Sequence, residues 1–193
     1  MKVVCIGSSN TIGFPLKKGQ GYVSLWEKAS GYEIINKGVI GSSAEGMLFR
    51  FKSDVLDLAP DMAVIICGTV DFITYDKSPD EVMGYLLRMV SMCREKGIKP
   101  VVISQILIDM PLACKVMAGD ACIDYVGVNE KLKRLREMVI DASTKNGYTV
   151  WDFQADFEKA VKGKDRALYF VDGIHPNAKT HKIFATLISK YTK

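Results

Sequence analysis

The sequence predicts a three-layer α/β/α sandwich built on a parallel sheet of about five strands. Three observations carry this. Short β-rich runs alternate along the chain with longer stretches that place apolar residues at helical spacing. The β-rich runs are almost continuously apolar, as strands covered on both faces are. Glycine follows two of the helical stretches, at Gly97 and Gly147, where a residue of free backbone ends a helix.

In chain order, Val3–Ile6 is the first strand and Tyr22–Ser30 the first helix. Glu33–Asn36 and Ala63–Cys67 are the next strands, with the Ala44–Val55 helix between them. The helical pattern Pro79–Lys96 leads to a strand at Val101–Ser104, and Tyr125–Asn146 leads to a strand at Thr149–Asp152. Within Tyr125–Asn146, Lys131, Lys133, Arg134 and Arg136 interleave with Leu132 and Leu135, the wet side of an amphipathic helix. Phe157–Lys162 and Ala178–Tyr191 supply two further helices. No repeat, low-complexity tract or Pro/Gly-rich linker divides the chain, so residues 1–193 are expected to form one unit. Right-handed crossovers then cover both faces of the sheet with helices.

Such a sheet binds ligands outside the carboxyl ends of its strands. Four segments are therefore expected on one rim: Gly7-Ser8-Ser9-Asn10-Thr11, Gly38-Val39-Ile40-Gly41-Ser42, Gly68-Thr69-Val70-Asp71 and Gln105-Ile106.

Composition narrows the function. Of 193 residues, 48% are hydrophobic and 25% charged, an ordinary globular mixture that needs no disulfide or metal to fold. The net charge of +4 is mild and its basic residues are scattered, which argues against nucleic acid as a partner. Aliphatic runs such as Ala63–Cys67 are far below the ~20 residues of a membrane span. The opening Met1–Gly7 is too short for a secretory core, so a cytoplasmic location is expected. The five cysteines are odd in number and widely spaced, and all are expected to be free thiols. With two histidines and no ligand cluster, no metal or other cofactor is expected.

Two segments carry chemistry. Gly7-Ser8-Ser9-Asn10-Thr11-Ile12-Gly13 follows a strand with small polar residues. It lacks the Gly-Lys-Ser/Thr ending of a P-loop and the pattern of a dinucleotide turn. Read alone, it is a strand-to-helix turn, an anion-binding backbone or the seat of a nucleophilic serine. Asp172-Gly173-Ile174-His175-Pro176-Asn177 precedes the last helix. Asp172 is either the cap of that helix or the group that fixes the His175 tautomer, leaving the other ring nitrogen to take a proton from a hydroxyl. His181, between Lys179-Thr180 and Lys182, reads as a solvated helix residue.

Together these segments resemble the SGNH (GDSL-type) hydrolases, serine esterases and acylhydrolases on a flavodoxin-like fold. The first family block, G-D-S-x-T/S-x-G, is met by Gly7, Ser9, Thr11 and Gly13. The second, N-x-x-x-x-G, is met by Asn36 and Gly41, and the last, D-x-x-H, by Asp172 and His175. The third, G-x-N-D, is met only by Gly68 and Asp71. The resemblance implies Ser9 as nucleophile, His175 as general acid/base and Asp172 as its orienter. It implies the N–H groups of Ser9 and Gly41 as oxyanion donors, and a small-molecule ester as substrate. Ser8 is the rival nucleophile, set aside because the motif aligns Ser9.

Two departures stand out. Ser8 replaces the first-block aspartate, and Val70 replaces the third-block asparagine whose amide is the family's third oxyanion donor. Valine cannot donate, so Thr69 or another group substitutes, or the hydrolase is slow, or the site is repurposed. Thr69 and Val70 are expected beside the substrate. The long segment Gln105–Asp124 offers Ile106, Leu107, Ile108, Met110, Leu112 and Met117 either to an acyl pocket or to packing of the loop on the core. The small size favours a short acyl group.

Overall fold

The computed structural model describes residues 1–116 and 123–192. Met117, named above, and one of the five cysteines, Cys122, lie outside the described residues. Five strands, β1 (Lys2–Gly7), β2 (Glu33–Gly38), β3 (Met62–Ile65), β4 (Lys99–Ile103) and β5 (Thr149–Trp151), form one parallel sheet in the order β2-β1-β3-β4-β5. The chain reverses its direction of travel across the sheet between β1 and β3. That is the topological switch point at which open α/β sheets bind ligands.

Successive side chains of β1 point to opposite faces, and the core divides accordingly. Val4 and Ile6 join Ala63, Ile65 and Val102 beneath α3 (Ala44–Asp54), α5 (Pro79–Glu95) and α7 (Tyr125–Asn146). Val3 and Cys5 join Val64, Val101 and Ile103 beneath α2 (Tyr22–Ser30), α8 (Phe153–Val161) and α9 (Ala178–Tyr191). The result is the three-layer sandwich expected from the alternation. Each fully buried large apolar side chain, such as Phe51 or Ile188, contributes roughly 1.5–3 kcal/mol. Among the described cysteines Cys5, Cys67, Cys93 and Cys114 are free, and burial pushes the Cys5 and Cys67 thiols well above their ordinary range. They serve as small hydrophobes.

The differences from expectation are short helices. α1 (Ser9–Ile12), α4 (Thr69–Thr74) and α6 (Met110–Val116) lie where the sequence read as connecting segments. None is long enough to display a period of 3.6. α8 starts four residues earlier than expected because the Asp152 side chain accepts from Ala155 N–H and caps it at Phe153.

Candidate active site

β1 delivers the chain to Gly7, and Ser9 is the first residue of α1. Far along the chain, Asp172–His175 forms a tight turn ahead of α9. Asn177, not Asp172, caps that helix, accepting from Lys179 and Thr180 N–H. Asp172 instead serves the histidine: its Oδ1 accepts the N–H groups of Ile174 (2.9 Å) and His175 (2.7 Å). Its Oδ2 lies 2.6 Å from His175 Nδ1. On the other side of the ring, Nε2 lies 3.1 Å from Ser9 Oγ. A carboxylate only accepts, so Nδ1 carries the proton and Nε2 presents its lone pair to the serine hydroxyl. Burial raises the Asp172 pKa, but the hydrogen bonds from His175 and the turn outweigh it and hold the carboxyl below its usual range. The imidazole meets Ser9, while the Ser8 carbonyl accepts the N–H groups of Thr11 and Ile12 and so starts α1.

A cavity of about 200 Å³ brings Ser9, Gly41, Thr69, Val70 and His175 together. Of the four rim segments, three therefore converge. The fourth does not: Gln105 and Ile106 are buried away from this cavity, Ile106 within the core beneath α2, α8 and α9. Met110 likewise packs against the opposite core layer and leaves the cavity untouched. The acyl-pocket reading of Ile106 and Met110 is thus corrected to the other one open to them, packing of the segment on the core. Their segment is fastened along its backbone: Leu107 N–H donates to Gln154 Oε1 (2.8 Å), and Asn129 both accepts from Ile108 N–H (2.8 Å) and donates to its carbonyl (3.0 Å). Its task is to support the histidine turn, since Asp109 N–H donates to Gly173 O at 2.9 Å.

Gly173 is required there twice over. Its φ is +89°, and a Cβ would stand 2.4 Å from Ala113 N and 2.6 Å from Asp109 O. Gly41 has a φ of +73° but open space around it. Gly173→Ala is therefore expected to cost about 2–5 kcal/mol in urea unfolding, the left-handed penalty plus the clash. Gly41→Ala should cost only about 1–2 kcal/mol.

Side chains outside the set of Ser9, Asp172 and His175 hold the loops in place. Arg50 on α3 donates to the carbonyls of Lys37 (2.9 Å) and Gly7 (3.2 Å) and reaches Ser42 Oγ (3.4 Å). It thus ties the ends of β1 and β2 to the Gly41 loop. Asn36 bridges β2 to α1, donating to Thr11 O at 2.8 Å. Asp71 accepts from Ala44 N–H (2.9 Å) and Gly68 N–H (3.2 Å), joining the loops after β2 and β3; burial raises its pKa despite these bonds. Asn10, beside the serine, lines the cavity with its Oδ1 buried and without a hydrogen-bond partner. No sequence period marks these residues, because each acts through a single polar side chain on a strand or helix that borders the site.

His181 corrects another expectation. It is fully buried, accepts from Tyr22 N–H through Nδ1 at 3.0 Å, and stacks on the Tyr22 ring. Positions 181, 184, 185 and 188 share one face of α9, so the helical period places it inside despite its polar neighbours. Burial lowers its pKa to about 4. Between pH 6.5 and 4 the unfolded chain then binds the proton and the folded one does not, so this contribution is complete above pH 6.5. It is lost on acidification, on the order of 3 kcal/mol in all. His181→Asn retains an acceptor without titrating. Its unfolding midpoint, followed from about pH 7 to 4, should lack that part of the acid sensitivity.

Among the described residues no cluster of His, Cys, Asp and Glu is arranged to hold a metal, and no helix is long and apolar enough to cross a membrane.

The chain is 32% identical over 116 residues to the "Uncharacterized lipoprotein YqeF" of Bacillus subtilis (strain 168). That match covers 53% of this chain and 47% of the relative, so the chain spans about half the length of the curated relative it matches. Its fold is that of a lipolytic G-D-S-L family member from Veillonella parvula DSM 2008, with a TM-score of 0.82 at 20% identity over 98% of this chain and 97% of that one. It is similar also to a mutant form of Axe2, an acetyl-xylooligosaccharide esterase from Geobacillus stearothermophilus, with a TM-score of 0.76 at 19% identity over 98% and 92%. The profile of one family matches residues 5–183, nearly the whole sequence, and by that match the chain belongs to the GDSL-like Lipase/Acylhydrolase family.

Proposed function

We propose that this protein is a serine esterase that cleaves small carboxylic esters through an acyl-enzyme on Ser9. The observation that carries the reading is the continuous chain from Ser9 Oγ through His175 to Asp172, at 3.1 and 2.6 Å. A serine hydroxyl is a weak nucleophile until a neighbouring base takes its proton. His175 Nε2 is at the distance for that transfer, and Asp172 stabilises the imidazolium that results. The Ser9 oxygen bonds to the ester carbon, and the carbonyl electrons move onto oxygen. As the first residue of α1, Ser9 has an N–H without an intrahelical acceptor. With the Gly41 N–H it serves the developing oxyanion. Collapse of the intermediate breaks the bond to the alcohol oxygen, which takes the proton from His175. Water then repeats the sequence and frees the acid.

The cavity of about 200 Å³ favours a short acyl group. Axe2, of the same fold and an esterase of acetylated xylooligosaccharides, supports that direction. A fluorophosphonate probe tests the reading: the wild type should be labelled at Ser9 and Ser9→Ala should not. Val70 motivates a second reading, a catalytically impaired family member that binds acylated or carbohydrate ligands. Folded wild type that resists the probe would favour it.

A further inference from the structure

Beside the catalytic cavity runs a second groove, of about 480 Å³, lined by Ile12, Phe14, Leu16 and Ile40. Ile40 walls both spaces, so they adjoin along that side chain. Three of these side chains are unusually open for their type: Ile12 is 50%, Phe14 40% and Ile40 58% exposed. Contiguous exposed apolar side chains on a soluble surface mark a place where something binds. Phe14 does not merely border the site. Its ring meets the His175 ring edge-on, with centroids 5.1 Å apart.

Resting on the esterase reading, we propose that this groove receives the alcohol half of the ester, and that this half is an apolar alkyl or aryl group. The assignment follows from the three directions open to substituents of the attacked carbon. Its oxygen must face the N–H groups of Ser9 and Gly41. The departing oxygen must reach His175 Nε2 to take the proton that came from Ser9 Oγ, so its substituent lies on the side where Phe14 abuts the imidazole. The acyl group is left to the wall formed by Val70 and Ile73. When the bond from carbon to the alcohol oxygen breaks and the Nε2 proton moves to that oxygen, the neutral alcohol leaves along the groove. Lys18, Ser24 and Asn36 also line the groove and give it a polar share.

Two ester series test this: acetates of methanol, butanol and hexanol, and methyl esters of acetic, butyric and hexanoic acids. For the wild type, kcat/KM should rise about tenfold or more from methyl to hexyl acetate, with no comparable rise along the acyl series. Phe14→Ala and Ile12→Ser should each cut the hexyl-to-methyl ratio severalfold. Because the ratio is taken within one enzyme, a general loss from disturbing His175 cancels, and Ile12→Ser does not depend on the Phe14 contact. A flat alcohol series, a ratio unchanged in both variants, or a response of the acyl series to Phe14 would overturn the assignment while Ser9 still took the fluorophosphonate. No hydrolysis and no labelling would remove the esterase reading and the groove's role together.

Discussion

Ser9→Ala is expected to lower kcat for aryl acetate hydrolysis by about 10³–10⁶, to the level left by binding and oxyanion donors alone. The change removes one oxygen from a side chain that is nearly buried at the mouth of α1, so the fold is retained. His175→Ala should match it, and the double variant should be no slower than either single one, because the two groups act as a unit. Asp172→Asn is a finer probe. It preserves the shape but loses the acceptor that fixes the proton on Nδ1, and a fall of about 10⁴ is expected. Steady-state rates on p-nitrophenyl acetate, with circular dichroism to establish folding, check all four. Equal rates in wild type and Ser9→Ala would take Ser9 out of the mechanism.

The expectation of large effects from residues 166 positions apart rests on how the chain folds, and much of that was legible. Strands such as Val3–Ile6 announce themselves because burial on both faces demands continuous apolar residues. The rule that ligands bind at strand ends then points to Ser9, Gly41 and Thr69 without any coordinates. What escaped reading has a common cause. Ile106 and Met110 are apolar in a long connection, and an apolar side chain there fits a pocket and a core equally well. Only the bonds from Asn129 and Gln154 to the backbone decide that this segment is fastened inward. His181 misled because its sequence neighbours are polar, whereas a helix brings residues three and four apart together, and those are Phe184 and Ala185. Arg50 showed only its spacing of four from Asp54 on α3, since its other acceptors, at Gly7, Lys37 and Ser42, come from the ends of β1 and β2 and the loop that follows.

Val70→Asn is expected to raise kcat by about 10²–10³, with KM little changed. An amide that meets the oxyanion binds the transition state and not the ground state, which is why the gain should appear in kcat. The site is prepared for it: position 70 sits in the first turn of α4, lines the cavity with Ser9 and Gly41, and is only partly buried. Replacing the half-buried valine costs the fold about 1 kcal/mol of apolar burial, less than a typical domain can spare. Asp71 keeps the β3 loop fastened to α3 whichever residue stands at 70. The decisive comparison is therefore between kcat and stability in the same preparation. A rise in kcat with near-unchanged thermal stability means that the natural protein works with two oxyanion donors and is slowed by the valine. A folded Val70→Asn without gain means that a third donor is already in place. Asn10 is then the group to examine, because it lines the same cavity and the NH2 end of its amide is a hydrogen-bond donor. Asn10→Ala should in that case lower kcat by the amount that Val70→Asn failed to add, and the Val70→Asn/Asn10→Ala double variant should recover it.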